Sequence, residues 1–205
     1  MNLDYNEEQT MLREQIQKFC ESEYDFYKRE EIVKSSDDFD KNVWNLFAEQ
    51  GWLSMPFSEE SGGLGFGAIE LSILFEEFGK ALVIEPYLAT VVLSGTLLDR
   101  SDYSAKNELI EKICSGDMHI SLAYAEVNKS YDYSSTNTTI NSNNCLNGTK
   151  TLVLNGANAE KLIVSCTKDD QLNLVLVDSA TKGISSNSFA TIDGQSCSEI
   201  SFEND

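Results

Sequence analysis

Side chains able to do covalent or acid–base chemistry are few and scattered in this sequence. His119 is the single imidazole, and Cys20, Cys114, Cys145, Cys166 and Cys197 are the only thiols. The cysteines are odd in number and none pair at C-x-x-C spacing, so neither a disulfide framework nor a zinc centre is expected, and a reducing compartment suits them. Any Ser-His-Asp constellation would have to use His119, which reads better as a satisfied histidine packed in a strand. No catalytic residue and no metal ligand is therefore assigned. Glycine offers another kind of chemistry, because Gly62, Gly63, Gly65 and Gly67 place four glycines within six residues. Gly63-x-Gly65 has the spacing that cradles a dinucleotide pyrophosphate, yet no β-rich strand precedes it. Without that strand the amides are not aimed at a phosphate, and Gly62, Gly63 and Gly65 are expected to shape a loop instead.

The stretch with the clearest local signal runs from Leu146 to Ala159, LNGTKTLVLNGANA. Asn-Gly pairs tolerate positive φ at both turn positions, so Asn147-Gly148 and Asn155-Gly156 predict turns at either end of a strand over Lys150 to Leu154.

The elements that must position such a strand follow from hydrophobic period. Met11, Leu12, Ile16, Phe19 and Cys20 recur at helical steps, with Asn6 as N-cap and Glu7 and Glu8 at the positive end of the dipole. Val43, Trp44, Leu46 and Phe47 open a second helix that Gly51 can close, and Trp52 to Pro56 is expected to be extended. Ala68 to Leu82 is apolar on nearly every side, as a helix central to a bundle would be. Glu85-Pro86 breaks it, and further helices are expected over Tyr87 to Leu98 and Ser104 to Ser115. Glu85 and Pro86 also split the apolar run Ala81 to Leu98 into halves too short to cross about 30 Å of hydrocarbon, so no membrane insertion is expected. After Gly116 the period shortens. His119 to Ala125, Thr138 to Ile140, Lys150 to Leu154, Lys161 to Cys166, Leu172 to Val177 and Glu199 to Phe202 read as strands, with Ser130 to Asn144 an exposed loop. The expected fold is α+β: an all-helical N-terminal domain over 1–117, then a small antiparallel β-barrel-like domain over 118–205.

A formal net charge of −19 is concentrated in the first 117 residues, which carry 24 acids against 10 bases. That excess excludes a nucleic-acid partner, whose phosphates need clustered Lys and Arg, and offers no long-range attraction to any polyanionic ligand. Met1 to Glu8 has neither the basic nor the apolar region of a signal peptide, so a cytoplasmic location is expected.

Across essentially all 205 residues the sequence resembles the acyl-CoA dehydrogenases. The resemblance is carried by Trp44 with Gly51-Trp52-Leu53, by the Pro56 to Gly65 loop, by the strand Leu122 to Val127 with its Glu126, and by Gly148, Lys150, Leu152, Val153, Leu154, Asn155 and Gly156. It implies an FAD-dependent oxidoreductase of fatty acid or lipid metabolism that desaturates an acyl-CoA thioester and works as a homo- or hetero-oligomer. In that family a base removes the α-proton while flavin N5 accepts the β-hydride. The base comes from a C-terminal helical bundle, so the 205-residue chain by itself is expected to be a fragment and inactive. The resemblance assigns flavin contacts to Leu122, Tyr124, Ala125, Leu152, Val153 and Leu154. It departs from the family pattern at Ala125, where threonine is usual, and at Leu152 and Leu154, where an aromatic ring and a hydroxyl are usual; backbone amide donors survive each change. Two interpretations stay open, a divergent flavin enzyme and a non-catalytic structural or heteromeric partner subunit, beside a third in which an acidic scaffold binds a basic partner.

Overall fold

The computed structural model describes residues 4–35, 37–127, 129 and 136–203. Helix α1 (Glu7–Glu23) starts at Asn6, whose side chain accepts from the Gln9 amide while Gln9 returns a bond to the Asn6 N–H. Such a reciprocal cap satisfies two donors that a helix start otherwise leaves open. The charged segment after it forms a helix the apolar spacing does not announce, α2 (Phe26–Lys34), capped by Asp25. Asp40 caps α3 (Lys41–Glu49), and Gly51, at φ 76°, takes the left-handed turn that ends it. Trp52–Ser54 then makes a 3-10 turn where extended chain was expected, drawn in because Trp52, Leu53 and Met55 are all fully buried.

The glycine loop behaves as a steric device. A Cβ on Gly63 would collide with the Phe57 backbone carbonyl, and Gly62 and Gly65 both have positive φ. Only glycine meets both demands cheaply. Helix α4 (Ala68–Ala81) ends on Leu82 in the left-handed conformation (φ 57°), a position where glycine is usual. The run expected as one helix from Tyr87 divides into a π-helix (Leu88–Gly95) and a short α5 (Thr96–Asp99). The Ser94 hydroxyl reaches back five residues to the Ala89 carbonyl, matching the widened turn, and Gly95 has no Cβ, which lets the Phe57 ring press on its backbone. Helix α6 (Lys106–Cys114) closes at Gly116.

Aromatic rings fill the core between these helices. Phe47 stacks on Phe78 at 4.8 Å, and Trp52 meets Phe19 edge-on at 5.0 Å. Truncating any one of these three buried phenylalanines to alanine is expected to cost about 3–5 kcal/mol. Inside the same core lies Glu85, 5% exposed, with neither carboxylate oxygen in a well-formed hydrogen bond among the described residues. Burial pushes its carboxyl up to about 7, against the pull of the nearby Tyr24 hydroxyl. Among the described residues no helix is long and apolar enough to cross a membrane.

The remainder is one seven-stranded sheet: β1 (Ile120–Ala123), β2 (Thr139–Ile140), β3 (Leu146–Leu154), β4 (Lys161–Lys168), β5 (Gln171–Asp178), β6 (Ile184–Ala190) and β7 (Ser196–Phe202). Strand β4 pairs with β5 along one side and, along the other, with β1 and then β2 in turn. β2 pairs with β3, β3 with β7, and β7 with β6. The expectation of an antiparallel barrel needs two corrections. β1 and β2 run parallel to β4, and the sheet stays open, with β5 and β6 as its edges. Asn147-Gly148 is not a turn either: both residues lie inside β3, Asn147 opposite Thr139, and the chain reverses at Asn141 to Cys145. There the Asn141 side chain accepts from the Asn143 and Cys145 amides, a turn chemistry that displaces the Asn-Gly pair.

Helices and sheet share one core, to which Ile120 and Ile163 contribute, while Ala123, Val153, Leu162, Val164, Ile200 and Phe202 form a second. His119 sits where they meet, against the Phe39 and Trp44 rings and 3.3 Å from the Thr90 hydroxyl. Burial pushes its imidazole down to about 4, which makes it a neutral packing group. Asp38 fastens the junction by accepting from Asn158 and Ser196.

Candidate functional site

Past the last ladder pair of β1, Ala123 with Val164, the chain continues as Tyr124, Ala125 and Glu126 alongside β3, and the Thr151 amide donates to the Ala125 carbonyl at 2.9 Å. Because β2 is parallel to β4 and antiparallel to β3, β1 is antiparallel to β3 as well. Ala125 opposite Thr151 therefore sets Tyr124 against Leu152 and Glu126 against Lys150. In a regular strand Tyr124 would share a face with Glu126, and Lys150 with Leu152; here 124–126 lies beyond the β1 ladder and β3 is bulged at Leu152, so exposure sorts the residues instead. Tyr124 (40% exposed) and Leu152 (56% exposed) look outward, while Glu126 and Lys150 look inward and are buried.

The outward face is aromatic and aliphatic, with Val127 beside it, also exposed. A bulge interrupts the β3–β7 ladder between Lys150 and Val153, and Leu152 within it has φ 51°. Holding a leucine there costs roughly 1–2 kcal/mol. The strain turns the Leu152 side chain out while Val153 remains fully buried.

The inward face is an ion pair. Lys150 Nζ lies 2.7 Å from Glu126 Oε1, 2.8 Å from Thr136 Oγ1 and 2.9 Å from Ser165 Oγ, with the Tyr124 carbonyl at 3.4 Å. Three protons thus meet three close acceptors. Glu126 in turn accepts from the Asn137 and Thr138 amides and from the Thr136 and Thr138 hydroxyls. Burial pushes the Glu126 carboxyl up, but those donors, Lys150 first, outweigh it and hold it at about 2. Burial lowers the Lys150 ammonium from its ordinary value, and Glu126 offsets part of that. Held at about 2 with its oxygens engaged, Glu126 is not a proton carrier at neutral pH.

The six residues with expected flavin contacts divide accordingly. Tyr124 and Leu152 are both exposed beside the backbone bond between Ala125 and Thr151, and Ala125 is half-buried. Leu122 is half-buried against the helical core and Val153 is inside the sheet core, so both could meet a ligand only through backbone. Leu154 is half-buried at a small cavity of about 10 Å³ that it lines with Asp38, Pro86, Ala89 and Asn155. The glutamate–lysine pair had no role in the sequence reading, although a lysine in the middle of an apolar strand was a visible signal, since lysine is almost never fully buried unless paired.

The donor set decides which part of a flavin fits. Exposed aromatic and aliphatic side chains beside a strand edge suit an isoalloxazine ring. They do not suit a pyrophosphate, because none of the six residues is basic and Lys150 is already saturated. The residues present thus fit the ring end of FAD.

Comparison with known proteins identifies the family. The family model for the acyl-CoA dehydrogenase N-terminal domain matches residues 6–117, and that for the acyl-CoA dehydrogenase middle domain matches residues 121–204. The acyl-CoA dehydrogenase FadE29 of Mycobacterium tuberculosis is 24% identical over the whole chain, which spans 56% of that protein. Among solved structures, the ChsE4–ChsE5 complex of Mycobacterium tuberculosis superposes with a TM-score of 0.87 at 23% identity, covering 98% of this chain and 55% of that one. An FAD complex of PigA superposes with a TM-score of 0.85 at 19% identity over 100% of this chain and 57% of that one. The chain thus spans little more than half the length of the relatives it matches.

Proposed function

The chain belongs to the acyl-CoA dehydrogenase family, and from that premise we propose that it is the flavin-side portion of such an enzyme, with 1–117 as its helical domain and 118–205 as its β domain. The observation that carries this reading is the exposed pair Tyr124 and Leu152 beside the Thr151–Ala125 inter-strand bond, inside the matched middle domain. FAD bound there would supply a hydride acceptor for the α,β-dehydrogenation of an acyl-CoA thioester. Tyr124 and Leu152 would cover the ring, Ala125 would fix the edge of its platform, and backbone amides along this edge would be donors to ring oxygens and nitrogens.

The chain's own carboxylates do not complete the reaction. Glu126 is the acid nearest the platform in sequence, yet it is buried with its oxygens engaged. A positioned general base contributes roughly 10²–10⁴ in rate, so the chain alone is inactive on this reading and depends on a further helical segment or subunit. A cytoplasmic homo- or hetero-oligomer accommodates that need. Ala125 and Leu154, without hydroxyls, favour a second reading in which the chain is a structural partner subunit that has lost the cofactor. Titrating the pure chain with riboflavin and with FAD tests these readings. Binding of both, with no gain from the FAD phosphates, is expected for the flavin-side reading, and no binding of either points to the structural subunit. Steady reduction of an artificial electron acceptor by the pure chain with an acyl-CoA would overturn the predicted inactivity.

A further inference from the structure

On the same two segments that carry the proposed ring platform sits a buried pair of opposite charges, Lys150 and Glu126, which is an expensive thing to place there. Removing water from both groups offsets most of their attraction, and apolar residues of similar volume often do as well or better for stability. Stability alone is therefore a weak reason for Lys150. Its contacts suggest another. Lys150 joins four separate pieces of chain: β3 that carries it, the Tyr124–Glu126 edge, Thr136 and Ser165 of β4. Glu126 adds the Asn137 and Thr138 amides. Ala125 and Thr151, one residue along on each strand, are the backbone pair that sets the platform edge.

We propose that Lys150 and Glu126 are positioning residues for a flavin ring on the Tyr124–Leu152 face, holding the edge against β3 and keeping the charge near the ring balanced. This rests on the ring-binding reading above. One consequence separates it from a purely structural role. Oxidised riboflavin is neutral, and at mildly alkaline pH the reduced form is an anion. With both charges present near the platform, neither redox form is favoured by the pair. Glu126→Gln leaves an unbalanced ammonium and should tighten reduced riboflavin relative to oxidised. Lys150→Gln leaves an unbalanced carboxylate and should do the reverse. Each ratio should move on the order of tenfold, the effect of one charge about 10 Å away at an effective dielectric near 20. The double variant restores balance, so its ratio should return to that of the wild type. Its shorter side chain at 150 no longer reaches Thr136 and Ser165, so its affinity for both forms should fall together.

The experiment is anaerobic equilibrium dialysis of the full chain against oxidised and dithionite-reduced riboflavin, with melting curves to show that each variant is folded. Opposite shifts in the single variants, cancelled in the double, are the expected result. Shifts of the same sign, no shift, or wild-type affinity in the double variant would overturn the proposal while leaving the platform itself standing. Where a single variant does not fold, the double decides: a folded double with weakened binding of both forms supports the positioning role, and unchanged binding overturns it. A wild-type chain that binds no riboflavin in either form overturns the proposal and the flavin-side reading together.

Discussion

Each half of the molecule buries a glutamate, and the two are solved in opposite ways. Glu85 lies among the aromatic rings of the helical core with no well-formed partner among the described residues and a carboxyl pushed up to about 7. Glu126 lies inside the sheet, surrounded by donors from Lys150, Thr136, Asn137 and Thr138, and is held at about 2. Burial raises both. The geometry of the donors decides which one keeps its charge, so depth in the fold by itself does not say whether a carboxylate is ionised.

The most damaging way to break this contrast is Lys150→Met, which strips Glu126 of its counter-ion while leaving it enclosed. A loss of about 3–5 kcal/mol is expected, read from the urea midpoint. The pH dependence of stability sharpens the same contrast. Glu85 has a folded pKa of about 7, above its ordinary 4.5, so its contribution is complete below the ordinary value and is lost as pH rises through 7. Glu126, at about 2 against the same 4.5, contributes fully above 4.5 and loses that contribution as pH falls through 2. Each limb should be worth roughly 3 kcal/mol. Glu85→Gln should flatten the alkaline limb alone and Glu126→Gln the acid limb alone, as measured by chemical denaturation across pH. A variant that flattened the wrong limb would mean that the two environments had been misassigned.

Gly63→Ala tests whether the glycine loop belongs to the packing of the helical half and not to a ligand. The added methyl meets the Phe57 carbonyl, and a loss of about 1–3 kcal/mol in stability with little change in riboflavin affinity is expected. The smallest effect compares the two left-handed leucines, Leu82 at the end of α4 and Leu152 in the β3 bulge. Replacing either by glycine should relieve about 0.5–1 kcal/mol net of strain. Only Leu152→Gly should also weaken riboflavin binding, since Leu152 faces the platform and Leu82 does not.

The helices that the sequence announced are those whose apolar residues recur every three or four positions, such as α1 and α4. Helix α2 was missed because only Ile32 of its nine residues is buried, leaving no apolar face to recognise. Strand β6 was missed for the same reason: Ser185, Ser186, Asn187 and Ser188 are all exposed, so it shows no alternation. The Asn147-Gly148 pair misled because Gly148 is in β3 for a different purpose, its bare Cα admitting the Thr138 side chain. At the candidate site the outward residues were readable from the family motif. The inward pair was not, because a salt bridge between residues 24 positions apart leaves no periodic trace; only the register of the edge on β3 brings Glu126 to Lys150.

The shared lane of β1 and β2 between β4 and β3 has a kinetic consequence. Strands β4 and β5 are joined by a two-residue turn at Asp169 and Asp170, a local contact that can close in about 1–10 μs. Strand β1 must instead find Lys161 from Ile120, across much of the middle of the chain, before the lane has its first occupant. Loop closure of that kind comes late in folding. The amide of Thr151, bonded to Ala125 in that lane, should therefore gain protection from hydrogen exchange after the amides of the β4–β5 hairpin.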